Sequence, residues 1–216
     1  MPAALSRSSI TQRISSGDLV VSPILDPKQL GPSSVDLRMG TVALMSRAGA
    51  QSHVDPKDHL PKTNARHEDA QLRQQKHERF DIPFTKSFLL HPGALILVPT
   101  LEWVVVPTDL QGVVTARSSW AREGLNIATA TIVNPGYRGI VTLELANFGE
   151  IPIRLYPGLR IAQIAFYSLE QHDKQKDANG LQGQFDMSFE PKAGELAKAD
   201  EPFINIGKSI KPVLPN

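Results

Sequence analysis

Short apolar segments separated by glycine and proline turns dominate residues 80–169 of this sequence. The turns between them carry the motifs HPG, PTD, NPG, NFGE and YPG. Many short strands joined in this way are typical of a sandwich, a jelly roll or a barrel. In the same stretch, SSWARE followed by Gly124 has the pattern of a short helix. The sequence therefore predicts a mainly β fold with a few short helices.

The N-terminal part adds a helix and two strands to this pattern. Residues 8–16 (SSITQRISS) predict a short helix that ends at Gly17, and LVVSPI predicts a strand. The segment GPSSVDLRMG (31–40) alternates, with Val35 and Leu37 facing one way and Asp36 and Arg38 the other.

Residues 46–79 differ from the rest because they are polar, mixed in charge and nearly free of large apolar side chains. Such a segment buries little surface, so we expect an exposed insert within a β domain of residues 1–185, followed by a C-terminal tail of residues 186–216. Four of the six histidines lie in the insert. Their irregular spacing favours solvated histidines over a metal cluster, and we expect no protein-bound metal.

Composition excludes several classes of function. The formal net charge is +1, with 41% hydrophobic and 21% charged residues, which argues against polymeric nucleic acid as the main partner. The sequence contains no cysteine, so disulfides, thiol nucleophiles and cysteine-bound zinc are excluded together. No apolar run reaches the length of a membrane span. We therefore expect a cytoplasmic protein without a membrane partner.

The segment ARSSWAREGL (116–125) is the first candidate site. Arg117, Ser118 and Ser119 stand where a predicted strand gives way to a short helix, and Arg122 lies on the same face as the serines. Free amides at a helix start attract anions, so these residues suit a cradle for phosphate. They also suit an ordinary capped helix with surface arginines, which is the commoner arrangement.

The strand GIVTLELAN (139–147) supplies a candidate acid or base. Alternation places Thr142, Glu144 and Ala146 on the face opposite to the apolar Val141 and Leu143. Because Thr142 and Ala146 do not form an open charged surface, Glu144 suits a half-enclosed general acid/base. An exposed strand glutamate is the plain alternative.

The turn NPGYRG (134–139) carries an aromatic residue. Gly136 can supply a positive φ, and Tyr137 could serve as a platform for a sugar or a base. As a turn it needs no function.

Five segments in one order carry a resemblance to a known family. They are GPSSVDLRMG, HPGALIL, ARSSWAREGL, NPGYRGIVTLELANFG and PIRLYPGLRIAQIAF. In this order and spacing the chain resembles the dCTP deaminase family, a branch of the trimeric dUTPase superfamily, over residues 8–45 and 80–185. The resemblance implies a distorted β-barrel or jelly roll of the dUTPase-like type, and a homotrimer whose active sites are shared between subunits.

The resemblance also implies roles for individual residues. Glu144 would act as the proton shuttle, Ser118 would hold the attacking water, and Arg122 would orient Glu144. Substrate contacts are implied for Arg117, Ser119, Ala121, Asn134, Tyr137, Thr142, Gln163 and Gln184. The reaction would be hydrolytic deamination of a deoxycytidine nucleotide without zinc, with Mg²⁺ bound only through the nucleotide phosphates.

Two departures from the family pattern keep alternatives open. Asn134 stands where the family has aspartate, and an amide can hold a 3′-hydroxyl but cannot act as a base. Gly180 and Leu181 stand where the family has the lysine and tyrosine that close over the phosphates. We therefore predict conversion of dCTP to dUTP and ammonia, with or without onward hydrolysis to dUMP. A dUTPase-type pyrophosphohydrolase and a non-catalytic nucleotide-binding trimer of the same fold are the alternatives.

Overall fold

The computed structural model describes residues 3–46, 53–54, 77–127, 131–170 and 186–191. The chain divides into two units, one formed by residues 1–45 and 79–192 and the other by residues 46–78 and 193–216. The first unit carries the sheets that are described below. Most of the second unit, including His59 and His67 of the polar insert, lies outside the described residues.

The first helix, α1, spans Arg7–Ser16, so it begins one residue before the predicted segment 8–16 and ends where predicted. Ser6 caps the start, where its hydroxyl accepts a hydrogen bond from the Ser9 amide. Gly17 ends the helix in the left-handed conformation, at φ +80°, which costs glycine little. Ile10 is 1% exposed and attaches the helix to the core.

Twelve strands are described, and they confirm the mainly β prediction. They are β1 (Val20–Ser22), β2 (Ser34–Arg38), β3 (Val42–Ser46), β4 (His77–Asp81), β5 (Phe88–Leu90), β6 (Leu95–Val105), β7 (Leu110–Ala116), β8 (Leu125–Ile127), β9 (Ile132–Val133), β10 (Arg138–Asn147), β11 (Ile153–Leu155) and β12 (Arg160–Ser168). A second helix, α2, spans Ser118–Arg122, and a 3₁₀ turn covers Pro27–Gln29.

The strands form three sheets in the part of the chain that the structure describes. The largest has the order β4-β3-β6-β10-β8, with β1 also paired to β6. The second has the order β2-β12-β7-β9, and β11 pairs with β5 in a third. In both large sheets, the strands next to β6, β10 and β12 run antiparallel to them. Antiparallel sheets of this kind can keep one apolar and one polar face.

The core is formed by the alternating apolar residues of these strands. Val35 and Leu37 of β2 are completely buried, as their alternation predicts. Leu143 and Leu145 of β10 are at most 1% exposed and belong to the same cluster. The apolar face of each strand is thus turned inward, which leaves the opposite face available for polar groups.

One long strand replaces two that the sequence predicts separately. FLLHPGALILVPT (88–100) and EWVVVP (102–107) are separate apolar segments in the sequence, and Pro99 cannot donate a ladder hydrogen bond. Instead β6 continues past Pro99, and the register with β10 shifts between Ile140 and Thr142. The Thr100 hydroxyl accepts a hydrogen bond from the Val141 amide at 3.0 Å. This side-chain bond takes the place of a ladder bond, so the strand can run on through the irregularity.

One predicted strand is divided in two, and the polar insert ends earlier than predicted. GLNIATATIV predicts one strand, whereas β8 and β9 are separate and residues 128–130 between them are not described. At the end of the polar insert, β4 begins at His77.

Among the described helices none is long and apolar enough to cross a membrane.

Candidate active site

The start of α2 is fastened to the neighbouring strand β12. Arg117 precedes the helix in an extended conformation, and its amide donates to the Ile161 carbonyl at 3.1 Å. The Arg160 carbonyl accepts from Arg117 Nη1 at 3.2 Å and from Trp120 Nε1 at 3.0 Å. The helix start is therefore held in place, while residues 118 and 119, the two serines, keep part of their surface open to a ligand.

The turn after α2 depends on a glycine. Gly124 has φ +89°, and a Cβ at this position would lie 2.5 Å from the Gly149 amide nitrogen. The Gly124 carbonyl accepts from the Phe148 amide at 2.9 Å. This close approach joins the helix to the end of β10, the strand that carries Glu144.

Asp36 lies beside the Arg117 guanidinium. Its Oδ2 is 3.2 Å from Arg117 Nε and 3.3 Å from Arg160 Nη1. Burial raises the pKa of Asp36 above its ordinary value, although Arg117, Arg160 and Arg38 each lower it. One carboxylate thus lies between two guanidinium groups at the edge of the candidate phosphate site.

Gln163 is part of a polar ladder on the same sheet. In register it lies between Asp36 of β2 and Thr115 of β7, and residues paired in this way point to one face. Gln163 Nε2 donates to the Thr115 hydroxyl at 3.2 Å, and its Oε1 accepts from Ser34 at 3.5 Å. The predicted site residue therefore belongs to the same polar face as Asp36.

Glu144 lies on the outer face of the other sheet. Val141, Leu143 and Leu145 are buried, and Thr142 and Glu144 are half-buried on the other side, as the alternation predicts. Glu144 pairs in register with Leu97 of β6, and Leu97 pairs with Leu44 of β3. On the β6 side its direct cross-strand neighbour is therefore Leu97.

Arg122 and Glu144 are not joined by an ion pair among the described residues. Arg122 is exposed on α2. Glu144 has interactions of its own, so it is not an isolated charge. The orienting role that the resemblance gives to Arg122 therefore stays a prediction.

The turn Asn134–Tyr137 is stabilised by hydrogen bonds within the turn and to the residues that follow it. Gly136 has φ +78°, and the Tyr137 amide donates to the Asn134 carbonyl at 3.2 Å. The Tyr137 hydroxyl donates to the Ile140 carbonyl. Burial, and to a lesser extent Asp186, raises the pKa of Tyr137 to about 12, so the phenol stays protonated as a donor. The ring of Tyr137 is consequently fixed relative to Asn134.

Residues 186–191 pack against the start of β10 and support this turn. Asp186 accepts hydrogen bonds from the Arg138 amide at 3.0 Å and from Arg138 Nη2 at 3.2 Å. The Ser188 carbonyl accepts from the Ile140 amide at 3.0 Å. The rings of Phe189 and Trp103 lie 4.7 Å apart between centroids. The first residues of the predicted tail are thus part of the β domain's surface, next to the turn that carries Tyr137.

A protein-family match covers the segments that carry these residues. Residues 4–169 match the family model described as dCTP deaminase-like. The chain belongs to the dCTP deaminase-like family. The predicted residues at the start of α2, in the turn and on β10 and β12 all lie inside the matched range, and Gln184 lies beyond it.

Relatives of known name agree with this family. The chain is 41% identical over 167 residues to a relative from Dictyoglomus thermophilum named "dCTP deaminase, dUMP-forming". This match covers 76% of this chain and 80% of the relative. It is 37% identical over 190 residues to a dCTP deaminase of Halorubrum lacusprofundi, and this match covers 82% of this chain and 88% of the relative.

A solved structure shows the same fold. The 2'-deoxycytidine 5'-triphosphate deaminase from Agrobacterium tumefaciens has a TM-score of 0.57 at 24% identity. The match covers 78% of this chain and 48% of the other, so this chain spans about half the length of that protein. At this identity the likeness concerns the fold alone.

Within the dCTP deaminase-like frame, the structure brings some predicted residues together and leaves others apart. Arg117 and Gln163 share one polar face, and Tyr137 lies with Asn134 in one turn. Ala121 is exposed on α2. Gln184, Gly180 and Leu181 lie outside the described residues.

The buried charged groups next to β2 were not predicted from the sequence. Glu102 is fully buried, and its carboxylate accepts from the Arg38 amide at 2.8 Å and from Gln29 Nε2 at 3.0 Å. The signal in the sequence was the alternation that set Asp36 and Arg38 opposite to the apolar side of β2. It indicated a polar face, but nothing in it indicated which charges would meet there.

Proposed function

We propose that this chain hydrolyses dCTP to dUTP and ammonia in the cytoplasm. The observation that carries the proposal is the family match over residues 4–169, together with Ser118, Arg122 and Glu144 at the positions that the motifs indicate. Glu144 is half-buried opposite Leu97, a setting in which a carboxylate can exchange protons with a bound water.

The residues would divide the chemistry as follows. Glu144 takes a proton from water held by Ser118, and the hydroxide attacks C4 of cytosine. The proton passes to N3, and a second transfer lets the C4–N4 bond break with departure of ammonia. Atoms balance as dCTP plus water giving dUTP plus ammonia.

The other site residues would bind the nucleotide. Arg117 and Ser119 stand at the start of α2, where amides and a guanidinium suit phosphate oxygens. Asn134 would hold the 3′-hydroxyl, and the fixed ring of Tyr137 would crowd the 2′ position. The remaining contacts would come from Ala121, Thr142, Gln163 and Gln184.

Neither zinc nor a protein-held magnesium enters this proposal. Zinc-dependent deaminases use a cysteine pair, and this sequence has no cysteine. Magnesium prefers hard oxygen ligands and would be carried by the nucleotide phosphates. The described residues contain no group of three histidine, aspartate or glutamate side chains suited to a metal.

A homotrimer would complete each site. Leu97 lies half-buried opposite Glu144, Leu44 pairs with Leu97 on the next strand, and Leu95 on the same face is 48% exposed. An apolar surface around a catalytic carboxylate is suited to cover by another subunit. The same subunit could bring its Arg122 to Glu144.

Onward hydrolysis of dUTP to dUMP and pyrophosphate is the second candidate. It is favoured by the 41% identity to a relative named dUMP-forming. Asn134 weighs against it, since an amide cannot act as a base at that position.

The deciding experiment follows ammonia and pyrophosphate separately. Purified protein is incubated with dCTP, dCMP, CTP or dUTP. Ammonia from dCTP with no pyrophosphate supports the deaminase proposal, and equal amounts of both support the dUMP-forming reaction. Pyrophosphate from dUTP without any ammonia from dCTP would indicate a dUTPase. Binding without either product would indicate a non-catalytic trimer.

A further inference from the structure

We infer that Asp36 is a positioning residue, which holds the Arg117 guanidinium in the orientation that receives the nucleotide phosphates. The inference rests on the proposed function, and it adds a residue on β2 that the motif at the start of α2 does not contain. It follows from the contacts of one carboxylate with the surrounding cations.

The Arg117 side chain is held at two points within the described residues. Nε lies 3.2 Å from Asp36 Oδ2, and Nη1 donates to the Arg160 carbonyl at 3.2 Å. These contacts leave Nη2 for a ligand oxygen. The side chain is 31% exposed, so it reaches solvent while its plane is fixed. A planar guanidinium fixed in this way loses little conformational freedom when it binds a phosphate.

Asp36 is itself well supported. Its side chain is 12% exposed, and its backbone carbonyl accepts from the fully buried Gln29 Nε2 at 3.2 Å. Arg160 Nη1, the second cation on the carboxylate, also donates to the Lys28 carbonyl at 3.0 Å. The carboxylate is therefore anchored by its backbone and by Arg160 before Arg117 is considered.

Because Asp36 is charged, two explanations of its role predict opposite changes in dCTP binding when the charge is removed. A carboxylate beside an anion site repels phosphate, so its removal would strengthen dCTP binding if charge alone mattered. If Asp36 acts by positioning Arg117, its removal weakens binding despite the gain in net positive charge. The two accounts therefore predict opposite changes in the KM for dCTP.

The test compares Asp36→Asn with a matched control. Asp109→Asn breaks the ion pair of Asp109 with Arg13, whose atoms lie 2.7 Å apart, and makes the same change in charge. We expect Asp36→Asn to raise the KM for dCTP about tenfold or more, as loss of a charge-assisted contact does, while kcat changes less. Asp109→Asn should leave both constants near the wild-type values.

A double-mutant cycle separates positioning from general damage. Arg117→Ala should raise the KM by itself, and adding Asp36→Asn to it should raise the KM by no more than about twofold, because the partner is already gone. Asp36→Glu keeps the charge but moves the carboxylate by one methylene. It should show the same selective rise in KM, and it replaces Asp36→Asn if that variant does not fold.

The outcomes distinguish this inference from the proposed function. If the wild type deaminates dCTP and Asp36→Asn leaves the KM unchanged or lowers it, the positioning role is wrong and the proposed function stands. If the effects of Asp36→Asn and Arg117→Ala are additive, Asp36 does not act through Arg117. If the wild type neither binds nor deaminates dCTP, the proposed function fails, and this inference fails with it.

Discussion

Gln29 donates a hydrogen bond of 3.0 Å from Nε2 to Oε1 of Glu102, and both side chains are fully buried. Gln29 Nε2 is also 3.2 Å from the Asp36 carbonyl, and Arg38 Nε donates to Gln29 Oε1 at 3.2 Å. The pair thus connects the irregular part of β6 to β2, the strand that carries Asp36. The stability of this connection depends on the charge of Glu102.

The first prediction concerns that charge. Burial raises the pKa of Glu102 above 4.5, although hydrogen bonds and Arg38 lower it. Folding therefore favours the protonated carboxyl, whose stabilising contribution is complete below pH 4.5 and is lost as the pH rises through the folded-state pKa. A tenfold difference in proton affinity between the folded and unfolded chain corresponds to about 1.4 kcal/mol of folding free energy.

Denaturant unfolding between about pH 4.5 and pH 8, the range over which a raised carboxyl pKa has its effect, tests this prediction. Glu102→Gln carries no titrating group, so the free energy of unfolding of the wild type should fall relative to this variant as the pH rises. Glu170→Gln, an exposed control, should follow the wild type at every pH. Parallel curves for the wild type and Glu102→Gln would contradict a raised pKa at Glu102.

The second prediction concerns the proposed proton shuttle. Glu144→Gln keeps the size of the side chain and removes the base, so kcat should fall by about 10²–10⁴-fold with dCTP binding largely retained. Steady-state kinetics and calorimetric binding measure the two effects separately. Glu170→Gln serves again as the control. Near wild-type turnover by Glu144→Gln would refute the mechanism, whatever the fold.

The third prediction concerns the shared site. Glu144→Gln and Arg122→Ala should each be nearly inactive, because each lacks one half of the pair. In trimers formed by co-expression, some sites combine an intact Glu144 with an intact Arg122 from a neighbour. Activity should then recover to about a quarter of the wild-type value per site in the randomly mixed population, and to about a third in trimers purified through both tags, since each of those has one competent junction in its closed ring.

Two measurements complete this test. Light scattering of the wild type should give the mass of three chains, and the co-expressed variants should purify together through two different tags. If mixed trimers form but regain no activity, the two residues act within one chain or not at all.

The fourth prediction concerns the sugar. Tyr137 is fixed by its turn and by its bond to the Ile140 carbonyl, so its ring can crowd the 2′ position. Wild-type kcat/KM should therefore be higher for dCTP than for CTP, and Tyr137→Ala should reduce the ratio about tenfold or more. Tyr137→Phe keeps the ring and should retain most of the preference. Equal use of CTP and dCTP by the wild type would rule out this role.

The sequence by itself was enough for several of the elements and for the family. Turn residues and alternation predicted α1, its end at Gly17, the strands β2 and β10 and the short helix at Ser118, because these depend on neighbours along the chain. The order of five motifs identified the family that the match over residues 4–169 confirms. It also placed Ser118, Arg122 and Glu144 in their segments.

Only the tertiary structure decided which of these groups meet. Asp36 and Arg117 are far apart along the chain, and their contact depends on β2 and β7 flanking β12 in one sheet. The passage of β6 through Pro99 depends on a hydroxyl at Thr100 that bonds across to β10. Pairing between distant strands, and the burial that it imposes on Asp36 and Glu102, arises from long-range packing, which local patterns of residues do not specify.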